Sequence, residues 1–201
     1  MLVGVNAHKD FAKFMTRQNL IEQLKAYKLR FKDEDESTSR FIDFVSRYDK
    51  CFERSLKVGH VTGSAWVVNN KRTHVLLTHH RKLNRWLQLG GHADGEPDVL
   101  NVALREVREE SGLENVEPLT DQIFDIDIHS IPARGDDPEH FHYDIRYAMH
   151  AKESEDYVVS KESHDLSWID IEKLSDITDE KSMLRMARKW KAVQDGAGNS
   201  E

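Results

Sequence analysis

Three glutamates crowd one short stretch of this chain. Glu106, Glu109 and Glu110 fall in the run Leu104-Arg105-Glu106-Val107-Arg108-Glu109-Glu110-Ser111-Gly112-Leu113. At about 100° per residue of α-helix, the three lie within an arc of about 100°. Like charges so placed repel one another. They also sit toward a helix C-terminus, where the macrodipole disfavours anions. Local stability does not explain the placement; a hard divalent cation held by oxygen ligands does. Arg105 stands four residues before Glu109, close enough on a helix to orient that carboxylate. Upstream, Gly90-Gly91 opens the stretch that runs to Asp98, and glycines let the backbone come close to a neighbour or ligand.

Histidines form the second signal among the 11 in the chain. His140, His142 and Asp144 alternate along Pro138–Asp144 and so share one side of a strand, with His129 on the strand before. Such groups are ligands for a first-row transition metal. They equally suit the polar lining of an open sheet face, and substrate contact on that face is the expectation. His92 and Asp94 adjoin the glycines for the same geometric reason. His79, His80, Lys82, Arg85 and Trp86 offer charge and aromatic surface for a phosphate and a base, although surface solvation accounts for most of them.

These residues need elements to position them. Pro97 suits a first helical position and Gly112 the left-handed residue that closes a helix. Leu100, Ala103, Leu104 and Val107 give that helix one apolar face. Residues 1–57 read as a helical extension. Phe14, Ile21, Leu24, Tyr27 and Phe31 form one stripe, and Phe41, Phe44, Val45, Tyr48 and Phe52 a second, sharper one after the acidic start Asp33–Glu36. That aromatic face suits packing on the following domain or a homodimer. Val58–Val68 and Thr73–His79 read as a hairpin across Asn69-Asn70, and Trp86–Leu89 as a short strand. Gln122–Ile131, Phe141–Ala151 and Leu166–Ile169 read as further strands. Thr178 caps a last helix with Met183, Leu184, Ala187 and Trp190 on its inner face. The main domain spans 58–193, and 194–201 is a flexible tail. Strands on both sides of a central helix predict an α/β (α+β) fold, an α/β/α sandwich with an N-terminal helical extension.

The stretch from Gly91 to Leu113 resembles the Nudix hydrolase (MutT-like) signature G-x5-E-x7-R-E-U-x-E-E-x-G-U, where U is a bulky aliphatic residue. Gly91, Arg105, Glu106, Val107, Glu109, Glu110, Gly112 and Leu113 match in register. Pro97 stands where the pattern has its first Glu, flanked by Glu96 and Asp98, either of which could substitute. The resemblance implies a mixed sheet between helices, with the signature as loop, helix and loop. It implies cleavage of a pyrophosphate bond by water in a nucleoside-diphosphate-linked or related substrate, with Mg2+ or Mn2+ on Glu106, Glu109 and Glu110 and a carbonyl of Gly90 or Gly91. Arg85, Trp86, His92, His140 and His142 are the candidate substrate contacts. A further glutamate in the loop before Leu166 is the expected catalytic base, Glu162 first, with Glu153 and Glu155 as rivals. Two alternatives stay open: a catalytically weak nucleotide sensor signalling through the N-terminal helices, and a histidine-based transition-metal protein on the same scaffold.

Composition bounds the rest. A 201-residue chain holds one domain with an addition and can bury a real core. Charged residues make up 32%, and no run of eighteen apolar residues occurs, so no membrane span is expected. The start, Met1–His8, lacks a signal-peptide pattern, and the lone Cys51 excludes an internal disulfide, so a cytoplasmic location is expected. A net charge of -7 argues against a nucleic-acid or membrane-surface partner. An acidic protein still binds phosphates when a metal supplies local positive charge.

Overall fold

A ten-residue strand with both faces covered, β1 (Gly59–Val68), is the spine of the molecule. In the computed structural model, residues 16–80, 84–135, 137–152, 155–159 and 163–197 are described. Phe14, Lys82, Glu153 and Glu162 of the sequence reading fall outside them. On one side β1 runs parallel to β7 (His140–Ala151), in register from Gly59–Phe141 to Val68–His150. On the other it pairs antiparallel with β2 (His74–His80) near its end and with β4 (Leu89–His92) near its middle. β3 (Arg85–Leu87) and β8 (Ser163–Asp170) both pair with β2, and β5 (Val116–Pro118) and β6 (Asp125–Ile131) both pair with β7. The result is a mixed eight-stranded sheet.

Alternation along β1 splits its side chains between two cores. Val61, Ala65 and Val67 face α1 (Arg17–Arg30), α2 (Asp35–Arg47) and α3 (Val99–Ser111), joining Leu24, Tyr27, Phe41, Val45, Val102 and Val107 in the larger core. Trp66 and Val68 point the other way, into a smaller core with Phe124, Met183, Met186 and Trp190 under α5 (Lys181–Ala197). The short α4 (Leu174–Ile177) adds Leu174 to it. Helices on both faces make this the layered α/β arrangement expected.

Local chemistry sets the helix starts. Thr16 Oγ1 accepts the Asn19 N–H at 3.3 Å to cap α1. The acidic Asp35 and Glu36 open α2. Phe44 stacks on Tyr143 of β7 at 3.7 Å between ring centroids, and Tyr27 is fully buried. Phe41, Phe44 and Val45 of the second stripe thus pack inside the chain, with Phe41 and Phe44 against Tyr143 of its own sheet, the first of the two expected packings. Among the described residues, no helix is long and apolar enough to cross a membrane.

Several boundaries differ from the sequence reading. α3 begins at Val99 with Asp98 as its cap, so Pro97 precedes the cap instead of opening the helix. Val99, Val102, Ala103 and Val107 are the buried face of α3, while Leu100 and Leu104 are only half-buried. The strand read over Trp86–Leu89 breaks at Gln88 into β3 and β4, and Gly90-Gly91 lies within β4. The three-residue β5 is too short for a period-2 pattern to reveal. The last helix continues to Ala197, past the start assigned to the tail.

Candidate functional site

α3 lies close to the sheet because glycines give it room. A Cβ on Gly63 of β1 would stand 2.8 Å from the Val99 carbonyl oxygen. Gly91 pairs with Gly63 across the β1–β4 ladder and so faces the same side, toward α3. There the Glu106 carboxylate fills the space a side chain would need, 2.4 Å from an ideal Cβ. One residue earlier, the Gly90 N–H donates to Glu110 Oε1 at 2.8 Å. Two of the three glutamates thus converge on the double glycine.

Arg105 reinforces that convergence. Its Nη2 donates to Glu106 Oε1 at 3.0 Å and to the His92 carbonyl at 3.1 Å. Glu109 lies farther from its Nε, at 3.8 Å, and the Glu109 side chain is 63% exposed. The guanidinium therefore orients Glu106 more closely than Glu109, the partner expected from spacing. The carboxylates flanking Pro97 are engaged in the turn. Glu96 Oε1 accepts the Asp98 N–H at 3.1 Å, and Asp98 accepts the Asn101 N–H at 3.1 Å as the helix cap. Asp94, at φ 50°, is clamped by Arg54 from the segment before β1, and that hydrogen bond holds its carboxyl below the usual range.

The histidines gather on the other face. His60, Thr62 and Ser64 of β1 alternate away from Gly63, beside His142, Asp144 and Arg146 of β7. β6 adds Asp125, Asp127 and His129 opposite Arg146, Asp144 and His142. Ring centroids of His60 lie 4.8 Å from His142, 5.0 Å from His140 and 5.0 Å from His92. Burial, then the neighbouring His92 and His140, hold His60 down to about 4. Burial, then His92 and His60, hold His142 down to about 2. Both rings are neutral near pH 7. His60 escaped the sequence reading because a single histidine in a β-branched strand carries no local signal; its alternation with Thr62 and Ser64 was the available hint.

Asp144 does not join the histidines. Its Oδ1 accepts the Thr62 and Ser64 hydroxyls at 2.8 and 2.7 Å, and its Oδ2 accepts Arg146 Nε at 2.7 Å and Gln88 Nε2 at 3.2 Å. Beyond it runs a buried ion-pair network. Asp125, with no exposed surface, meets Arg146, Arg185 and Lys189, and Glu34 meets Lys189 at 2.6 Å. The network ties the turn between α1 and α2 to β6, β7 and α5.

Other candidates lie elsewhere. Arg85 pairs with Glu180, and Trp86 stacks on His79 at 5.1 Å. Both line a groove of about 350 Å³ with Asn84 and Ser175–Asp179, which the glutamates and clustered histidines do not line. Glu155 is committed to the β1–β2 turn, accepting the Asn70 N–H at 3.2 Å. Val158, in the same segment, donates its N–H to the Ser111 carbonyl at 2.7 Å, so 155–159 packs on the end of α3.

A sequence model of the NUDIX domain matches residues 59–190. The chain belongs to the Nudix family. Membership makes it a phosphoanhydride hydrolase by class. A comparison with curated protein sequences gives no match. Among solved structures, an Ap4A hydrolase binary complex from C. elegans shares 20% identity over 68% of this chain and 98% of that one, with a TM-score of 0.56. A MutT protein from Methanosarcina mazei Go1 shares 18% identity over 69% and 97%, at 0.52. The NUDIX domain of Shewanella oneidensis NrtR complexed with ADP ribose shares 15% over 76% and 97%, at 0.51. At such identities the likeness is one of fold.

Nudix hydrolases generally use divalent metals, and the donors around Gly90-Gly91 fit that use. Glu106 and Glu110, which converge there, offer oxygen alone, the donor type that Mg2+ and Mn2+ prefer. The missing Cβ of Gly91 leaves the Glu106 carboxylate against the strand backbone.

Proposed function

We propose that this Nudix protein hydrolyses a pyrophosphate bond in a nucleoside-diphosphate-linked or related diphosphate compound, with Mg2+ or Mn2+ held by Glu106, Glu109, Glu110 and the Gly91 carbonyl. The observation that carries the reading is the convergence of Glu106 and Glu110 on the double glycine of β4. A bound metal would neutralise phosphate charge and acidify a water. The chain's own contribution is positional. Arg105 fixes the Glu106 carboxylate and the β4 backbone relative to each other. The N–H of Gly90 fixes Glu110. Glu109, exposed and 3.8 Å from Arg105 Nε, presents its carboxylate to solvent on the same helix. Glu162 is the proposed general base; it follows by four residues Val158, which is bonded to the end of α3.

The substrate class follows from the same reading: a small nucleotide or diphosphate, the kind that the Ap4A hydrolase and the ADP-ribose complex are named for. A cytoplasmic location belongs to the proposal too, since the lone Cys51 is a buried free thiol. The test is a hydrolysis screen over nucleotide sugars, dinucleotides and nucleoside triphosphates with Mg2+ and with Mn2+. Expected is turnover of at least one class, with Glu109→Gln and Glu110→Gln each slower by at least about 100-fold and still folded. Wild-type rates in both variants would reject the site. Tight nucleotide binding without turnover would instead select the sensor reading.

A further inference from the structure

Four strands of the sheet send imidazoles to one spot, on the face opposite the glutamates. β4 marks the division: Gly91 faces Glu106, and His92, the next residue, alternates to the other side. The parallel β1–β7 register sets His60 beside His142, and the antiparallel β6–β7 register sets His129 on its other side. His140 lies two residues before His142, on the same side of β7. One ring nitrogen from each of His60, His140 and His142 lies within 4.8 Å of the other two.

Two features indicate that these rings are built to hold something. The first is an unfilled bonding capacity. His60 is only 3% exposed, yet neither of its ring nitrogens makes a hydrogen bond. The Leu56 carbonyl is near enough to favour the charged ring, but not in bonding geometry. Nε2 of His142 is likewise buried without a partner. Buried polar atoms are almost always satisfied, so orphans on adjacent rings call for a shared ligand. The second feature is orientation from behind. His140 Nδ1 bonds the Pro138 carbonyl at 2.9 Å, and His129 Nδ1 bonds Asp127 Oδ2 at 3.1 Å. Carbonyls and carboxylates hold metal-binding histidines in this way, leaving Nε2 forward.

We propose that His60, His140 and His142, with His92 or His129 as a fourth imidazole, bind one first-row transition metal ion of the zinc type. The donor set is nitrogen alone, because among the described residues the Asp144 oxygens already accept from Thr62, Ser64, Gln88 and Arg146. Imidazole donors select zinc, cobalt, nickel or copper over magnesium. Tetrahedral zinc, with Zn–N bonds of about 2.0–2.1 Å, sets its ligand nitrogens roughly 3.4 Å apart, so the rings close by about an ångström on binding. This site lies on the other face of β4 from the Glu106 carboxylate; Arg105 reaches Glu106 and only the main-chain carbonyl of His92.

The test uses the full-length protein, stripped with a chelator and titrated with Co2+ in excess Mg2+. Expected is one cobalt per chain with the intense visible bands of four-coordinate nitrogen ligation, displaced by Zn2+. His60→Ala and His142→Ala should weaken binding by at least about 100-fold, since losing even a residue behind a ligand costs 10–100-fold. His140→Ala serves where a buried variant fails to fold, because His140 is half-buried at the start of β7. Glu106→Gln and Glu110→Gln should lose hydrolysis and keep the cobalt spectrum, which separates this site from the hydrolytic one. Cobalt binding that is equal in wild type and His140→Ala, or that is lost in Glu106→Gln with an octahedral oxygen spectrum, overturns the proposal.

Discussion

The Glu106 carboxylate occupies the space where Gly91 would carry a side chain, 2.4 Å from an ideal Cβ. Gly90, its neighbour, is crowded differently: a Cβ there would meet the Ser64 hydroxyl at 2.2 Å and the Ser64 Cα at 2.7 Å. The first obstacle is the tip of a flexible side chain, and the second includes backbone. The two alanine variants should therefore separate function from stability. Gly91→Ala should melt close to wild type yet lose about tenfold or more in turnover, because Glu106 must move aside. Gly90→Ala should be destabilised by about 1–3 kcal/mol, the usual cost of overpacking. Thermal melts beside hydrolysis rates check both, and unchanged turnover in Gly91→Ala would sever Glu106 from the reaction.

The buried network around Asp125 makes stability depend on acid. Burial pushes the Asp125 carboxyl up, but its hydrogen bond to Arg185 and the charges of Arg146 and Lys189 pull it net below 3.8. A carboxyl depressed in the folded state stabilises above the unfolded value and loses that contribution as pH falls through the folded one. Asp125→Asn should cost about 3–5 kcal/mol near neutral pH, as expected for a buried charge cluster losing a partner. The gap from wild type should be smaller at a pH below 3.8 than near neutrality. Urea denaturation at both pH values reads it; a gap of constant size would place the carboxyl's titration outside this linkage.

How much of this was legible beforehand depends on how far each signal reaches along the chain. The carboxylate helix showed itself in ten residues, because periodicity, the Gly112 stop and the glutamates are all local. The signature pointed to the family for the same reason. What stayed hidden required partners from distant segments. His60 acquires meaning only beside His142, 82 positions away in a parallel register. Asp144 looked like a metal ligand until Thr62 and Ser64 were seen to take its oxygens. Glu96 and Asp98 looked available to replace the missing glutamate, but the turn before α3 uses both. Spacing alone reports which face a side chain shares, not which neighbour has already claimed it.

Cys51 supplies a probe of opening. It has no exposed surface, and burial pushes its thiol up to about 11. The native protein should react with a disulfide reagent near pH 8 only as fast as it opens, and at once in denaturant. Because the folded value lies above the unfolded 9, the thiol's contribution is complete below about pH 9 and fades as pH rises toward 11. Rapid stoichiometric labelling of native protein near pH 8 would contradict this burial.

Arg105 gives the sharpest test of how the glutamates are positioned. Its guanidinium spans two acceptors, Glu106 Oε1 and the His92 carbonyl, at 3.0 and 3.1 Å. Lysine keeps the charge but lacks the planar fork that reaches both at once. If Arg105 acts by holding Glu106, Arg105→Lys should raise the Mg2+ concentration for half-maximal rate by about 10–100-fold, the range seen when a residue supporting a ligand is lost. The rate at saturating Mg2+ should then return to within a few-fold of wild type. If Arg105 contacted the substrate instead, the deficit would persist at saturating metal and appear in kcat or in the KM for nucleotide. The dependence of rate on Mg2+ at fixed saturating substrate therefore decides between a positioning residue and a substrate contact.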